Sequence, residues 1–175
     1  MGEQIFIDNI VHRFLGDDGT FPNNGRLPLL IYQDTLTLPG RNPARAIEQL
    51  IESHNWGSSW RNGIFSHHHY HSSAHEALGV YSGKAQVQLG GPEGPQFSVQ
   101  RGDVIVIPAG VAHKNLGCRP DFRVVGAYPA GQSWDLNVGK AGERPQADRN
   151  MANVPLPETD PVFGETRPLV RLWRK

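Results

Sequence analysis

The sequence predicts an all-β sandwich or barrel carrying one helix on its N-terminal side. From Trp60 onward, short apolar or alternating runs of five to eleven residues recur: WRNGIFSHHHY, HEALGVYS, AQVQL, QFSVQ, VIVIP and FRVVGAY. Turn-forming connectors separate them, namely SSA, GK, GGPEGP, RGD, AGVAHK and GCRPD. Short strands at close spacing with glycine and proline between them are the signature of a sandwich or barrel. Only one stretch before them has helical periodicity.

Residues 1–41 mix apolar pieces (IFIDNIVHRFL, LPLLIYQ) with the turn signals DDG, PNNG and LPGRNP. The helix then spans about 43–55. Asn42 is a suitable N-cap, Pro43 fits the first helical position, and Ile47, Leu50 and Ile51 recur at helical spacing. Its apolar stripe reads as core packing, and its end falls near His54–Trp56, before Gly57. After Tyr128 the chain turns proline-rich and polar (AGERPQADRN, VPLPETDP), then closes on PLVRLWRK. The expected organisation is an N-terminal extension over 1–58, a β-barrel core over 59–130, and an extended tail over 131–175 packed on the barrel or on a partner subunit.

Composition narrows the function classes. A chain of 175 residues buries about 70% of its unfolded surface, enough for a core without staples. Its 17 basic and 17 acidic side chains cancel, leaving no electrostatic footprint for nucleic acid or an anionic membrane. Cys118 is the only cysteine, so no intramolecular disulfide forms, which suits a reducing cytoplasm. The start MGEQIFIDNI lacks the features of a signal peptide, and no run approaches the ~18 apolar residues of a spanning helix. A small-molecule partner and a cytoplasmic location are expected. A homodimer is expected too, because closed two-fold assemblies are the commonest oligomers and Leu169, Val170, Leu172 and Trp173 have no evident burial site in the sequence.

The chemistry concentrates in HHHYHSSAHE, where five of the eight histidines and a glutamate fall within residues 67–76. In a strand, His67, His69 and His71 share one face, and His68 and Tyr70 share the other. Two imidazoles at i and i+2 can hold one ion. A turn at Ser72–Ala74 would return the Glu76 carboxylate toward them, and His113, after VIVI and a Pro-Ala-Gly turn, is the best fourth ligand. Imidazole suits Zn, Cu, Ni and Fe, and carboxylate oxygen suits harder ions such as Mn.

The spacing G-(five)-H-x-H-(four)-E-(six)-G runs through Gly63, His69, His71, Glu76 and Gly83. A second, G-(five)-P-x-G-(two)-H, runs through Gly102, Pro108, Gly110 and His113, eighteen residues further on. Together they resemble the two motifs of the cupin superfamily, in particular its small single-domain bacterial members of unassigned substrate. The resemblance implies a jelly-roll barrel (a double-stranded β-helix) with His69, His71, Glu76 and His113 in its lumen. There they would hold one divalent ion per chain (Fe, Mn, Ni, Zn or Cu), with about two coordination positions left for water, substrate or dioxygen. One position departs from the pattern: the family's second motif ends in Asn four residues after its histidine, where this chain has Gly117. Asn115 stands two residues after His113 as a substitute polar contact.

Such a site serves dioxygenases, isomerases, decarboxylases and proteins that only bind, so fold alone does not name the reaction. The reading is a mononuclear metal enzyme on a small polar molecule, with a dioxygenase-like oxidoreductase leading. The alternatives are a non-enzymatic small-molecule binding or sensor protein, or a role in assembly. His67 and Tyr128 are the catalytic acid–base candidates. His68 and His75 are expected to face away from the site, and His12 and His54 follow no pattern.

Overall fold

A computed structural model describes residues 9–165 and 168–174. Among the described residues, nine antiparallel strands form two sheets. The larger has the order β1 (Ile10–Leu15), β2 (Asn24–Tyr32), β7 (Val104–Ile107), β4 (Glu76–Ser82), β9 (Arg123–Pro129) and β3 (Trp56–Asn62). The smaller has the order β6 (Gln96–Gln100), β5 (Lys84–Leu89) and β8 (His113–Cys118). The first apolar piece of the chain therefore contributes β1, although its residues 5–8 lie outside the described residues. β1 and β2 belong to the same sheet as the central strands, since β2 pairs with β7 through Leu30↔Val106 and Ile31↔Ile105.

Alternation along the central strands builds two cores. Leu29, Ile31, Leu78, Val80, Ile105, Ile107 and Val124 point between the sheets and fill the barrel. Their neighbours Leu30, Tyr32, Ala77, Val104, Val106, Val125 and Ala127 point outward. Helix α1 (Pro43–Ser53) covers that outer face with Ala44, Ile47 and Ile51. Both faces of the sheet are thus buried, which is why VIVI is an uninterrupted apolar run. Gly79 makes the helix's approach possible: a Cβ there would meet Ile47 Cγ2 at 2.9 Å.

Local chemistry departs from expectation at three places. Asn42 precedes the helix with φ 52° and its side chain makes no capping bond; its carbonyl accepts from Ala46 N–H instead, so Pro43 supplies the start signal. The expected strand through HHHY stops at Asn62. Continued, it would have stayed paired with β9; instead the chain leaves the sheet at Gly63 and crosses the barrel mouth, where His69 and Tyr70 make isolated bridges to His113 and Asn137. β8 lies where the sequence showed mainly connectors, because HKNLGC lacks the apolar alternation of the other strands.

The tail holds two short helices, α2 (Gln146–Asn153) and α3 (Leu169–Trp173), and packs on its own barrel. Leu169 is fully buried, Trp173 is nearly so, and the Trp173 indole donates to the Pro28 carbonyl at 2.9 Å. Val170 and Leu172 are partly buried against the same core. The apolar residues that suggested a dimer are therefore accommodated within the chain. Among the described residues no helix is long and apolar enough to cross a membrane.

Candidate metal centre

Three elements deliver the four residues. His69 and His113 are held opposite one another by reciprocal backbone bonds: His69 N–H donates to the His113 carbonyl at 3.2 Å and His113 N–H to the His69 carbonyl at 2.9 Å. His71 is fixed next to the Pro108–Gly110 turn, where its carbonyl accepts from Gly110 N–H at 2.8 Å. That turn needs glycine. Gly110 has φ +96°, and a Cβ would lie 2.4 Å from the Asn23 carbonyl oxygen. Glu76 opens β4 and shares the inward face with Leu78.

The side chains converge. Ring nitrogens of His69, His71 and His113 lie within 4.8 Å of one another, and all three rings are buried. The Glu76 Oε2 atom is 3.2 Å from both His71 Nε2 and His113 Nε2. The opposite nitrogens decide the tautomers. Nδ1 of His69 faces the His67 carbonyl at 3.0 Å, Nδ1 of His113 faces the Val111 carbonyl at 3.1 Å, and Nδ1 of His71 faces the Asp135 carbonyl. A carbonyl only accepts, so each Nδ1 carries a proton, and each ring in its neutral form presents an Nε2 lone pair. Backbone partners on ligating imidazoles commonly fix the ring in this way.

Glu76 is almost completely buried. Its Oε1 accepts from the Tyr128 hydroxyl at 3.2 Å, and the Tyr128 oxygen accepts from the Trp60 indole N–H at 2.8 Å. Its Oε2 has no hydrogen-bond donor among the described residues and faces only the His71 and His113 Nε2 atoms. Lone pairs facing a carboxylate oxygen repel unless a cation sits among them. The donor set therefore fits an ion that binds nitrogen and oxygen together.

Proton affinities follow the same geometry. Burial and the neighbouring His113 hold His69 down at about 3, so it stays neutral. Burial would also lower His71, but the Glu76 carboxylate beside it wins and raises it. Burial would raise Glu76, yet His71 and His113 hold it well below the usual carboxylate range. Burial pushes the Tyr128 phenol far above its ordinary value, so the hydroxyl keeps its proton.

The remaining candidates separate cleanly. Tyr128 lines the cavity above the cluster, whereas His67 is exposed at the rim, stacked on Phe65 at 5.0 Å and off the cavity wall. His68 turns to the other side, against Phe21. His75 accepts from Ala109 N–H through Nδ1 and packs edge-on to Trp173, a structural placement. Asn115 turns its Oδ1 to Gly117 N–H at 2.9 Å, so its polar contact is local.

Sequence reasoning missed Trp60, Trp134 and Asp135. The tail crosses the mouth between the Trp134 ring, 5.7 Å from His71, and the Asn137 bridge to Tyr70. Asp135 accepts from Ser72 N–H at 2.6 Å and from Ser73 N–H at 3.2 Å, and its carbonyl orients His71. Burial would raise the Asp135 carboxyl, but bonds from Ser72, Asn137 and Ser73 hold it lower. No local pattern marks these residues, because their role depends on where a long connection crosses.

Comparison with known proteins bears on the family. Residues 57–127 match the Cupin family profile, a span that includes all four converging residues. The chain is 41% identical over 162 residues to the uncharacterized protein YjlB of Bacillus subtilis, covering 93% of this chain and 95% of that one. Among solved structures, a double-stranded β-helix protein of Klebsiella pneumoniae is 21% identical with a TM-score of 0.37, over 47% of this chain and 68% of that one. Procruciferin, the 11S globulin of Brassica napus, is 18% identical with a TM-score of 0.38; 65% of this chain spans only 23% of that longer one. Overlays this loose carry nothing about activity. On the profile match and the near full-length likeness to YjlB, the chain belongs to the cupin family.

Proposed function

We propose that His69, His71, Glu76 and His113 hold one divalent metal ion per chain, and that this centre acts on a small molecule entering the open end of the barrel. The observation that carries the reading is the clustering of three buried imidazoles, two of which, His71 and His113, also face the buried Glu76 Oε2, an oxygen with no other partner among the described residues. A bound ion would polarise an oxygen atom of the substrate and supply Lewis-acid or redox chemistry. The protein's own part is to fix the donors. Tyr128, held by Trp60, ties down Glu76 Oε1 and leaves Oε2 toward the imidazoles. Tyr128 is also the proton-bearing side chain on the cavity wall. A dioxygenase-like oxidoreductase is the leading reaction class, with isomerase and decarboxylase chemistry behind it. Binding without turnover is the second reading; it is favoured by a wall whose only other polar side chain is Asn62. The cytoplasmic location rests on composition alone.

Protein purified free of metal and titrated in turn with Fe, Mn, Ni, Zn and Cu should bind close to one ion per chain by elemental analysis. His71→Ala and His113→Ala should each lower that affinity by more than about tenfold, since each removes a directly converging donor. A saturating stoichiometry near zero overturns the metal centre. Oxygen-uptake assays on the loaded protein then separate turnover from binding.

A further inference from the structure

The cavity above the four donors encloses about 250 Å³, and its wall is mainly Trp60, Ile64, Phe65, Leu78, Trp134 and Leu136. Polar side chains are confined to Asn62, Tyr128 and the donors themselves, and no lysine or arginine lines it among the described residues. Phe65, Trp134 and Leu136 are 50%, 51% and 48% exposed, a cluster of large apolar side chains held open at one mouth. Trp134 lies nearly parallel to Tyr128, with centroids 6.2 Å apart and planes 19° from each other. Apolar side chains clustered at a concave opening mark a ligand surface.

We propose that this site takes a singly anionic oxygen donor carried on a flat apolar body, such as an arene carboxylate or an enolate, and that Phe65 and Trp134 select for that body. The proposal rests on the metal reading above for the anchoring of the oxygen. A divalent ion with three neutral imidazoles and one carboxylate carries a net charge of +1, which one negative charge neutralises. A second anionic group would lie against an apolar wall with no cation to meet it, an unfavourable desolvation. The volume falls just below the roughly 300–1,000 Å³ of sites that take drug-sized ligands, so the body is about one ring or a short conjugated chain.

Benzoate, acetate and succinate test this by calorimetry and tryptophan fluorescence on the full chain, both loaded with zinc and metal-free, with zinc content measured alongside. Benzoate should bind the zinc-loaded protein at least about tenfold tighter than acetate, which offers the same donor group without the ring. Succinate should bind no better than acetate. Trp134→Ala and Phe65→Ala, both at half-exposed positions, should each shrink the benzoate-to-acetate ratio to about twofold or less. Equal binding of benzoate and acetate, a ratio untouched by both variants, or a preference for succinate overturns the proposal while zinc still loads. Failure of zinc to load overturns the metal reading instead, and the metal-free titration still reads whether the wall prefers benzoate in a Trp134-dependent way.

Discussion

Glu76 has two oxygens with different duties, and the difference is set three residues away. Oε1 is held by Tyr128, Tyr128 by the Trp60 indole, and the Trp60 ring lies over the bare backbone of Gly126. A Cβ at Gly126 would fall 2.2 Å from the Trp60 ring, so Gly126→Ala must push that ring aside. We expect Gly126→Ala and Tyr128→Phe to weaken metal binding several-fold with the four donors unaltered, and Tyr128→Phe to leave the fold's cooperative unfolding intact. Metal titration beside thermal melts checks both; full affinity in Tyr128→Phe would remove Tyr128 as a positioning residue. The residues that cluster were legible in the sequence, because His69, His71, Glu76 and His113 sit at fixed spacings around turn glycines. Trp60 was visible only as part of a strand. Its link to Tyr128 depends on β3 and β9 pairing through Trp60↔Gly126, and no run of sequence announces a pairing register.

At the scale of elements, apolar alternation revealed β4, β5, β6, β7 and β9, and helical periodicity revealed α1. It failed where tertiary pairing replaces pattern. β8 is strand because β5 and the crossing His69 segment pair with it, not because HKNLGC has an apolar face. The tail is the other case: its polar composition reads as extended, yet its turn over 138–144 is tightly tied. Glu143 accepts from Val138 N–H at 2.8 Å, from Gly139 N–H at 2.9 Å and from the Tyr70 hydroxyl at 3.1 Å. Next to it, Arg144 bridges Asp17 after β1 and Asp148 in α2. Hydrogen bonds from Arg144 hold Asp17 down to about 2. A depressed carboxylate stabilises above its unfolded value near 4 and loses that contribution as pH falls through the folded value. Both pairs are partly exposed and screened, so Arg144→Ala should cost only about 1 kcal/mol at pH 7. The difference from the parent should vanish between about pH 4 and 2. Denaturant melts at pH 7 and 2.5 check this; a deficit of equal size at both values would show that Arg144 acts by packing instead.

For the whole molecule, the barrel and its helix layer are complete within one chain, while the lumen keeps a carboxylate and three imidazoles whose lone pairs oppose each other. Folding therefore stabilises a site that is itself unfavourable without a cation, and an ion that binds only the native state should raise stability. At a free concentration of 100 times its dissociation constant, an ion adds about 2.7 kcal/mol, or about 5–10 °C in Tm for a domain of this size. The pH dependence has a definite sign. His71 is raised above its ordinary 6.5, so its proton is the one that an ion must displace as pH falls. In the metal-free protein that same raised group stabilises below its unfolded value and loses the contribution as pH rises through the folded one. Both effects act in one direction. The metal-induced rise in Tm should be largest near pH 8 and shrink toward pH 5, and occupancy at sub-saturating metal should fall over the same range. Thermal melts with and without added ion at pH 8, 6.5 and 5, with elemental analysis of each sample, measure both. A shift that stayed constant across those values would mean that the ion binds without displacing a proton from His71, and so somewhere other than among these imidazoles.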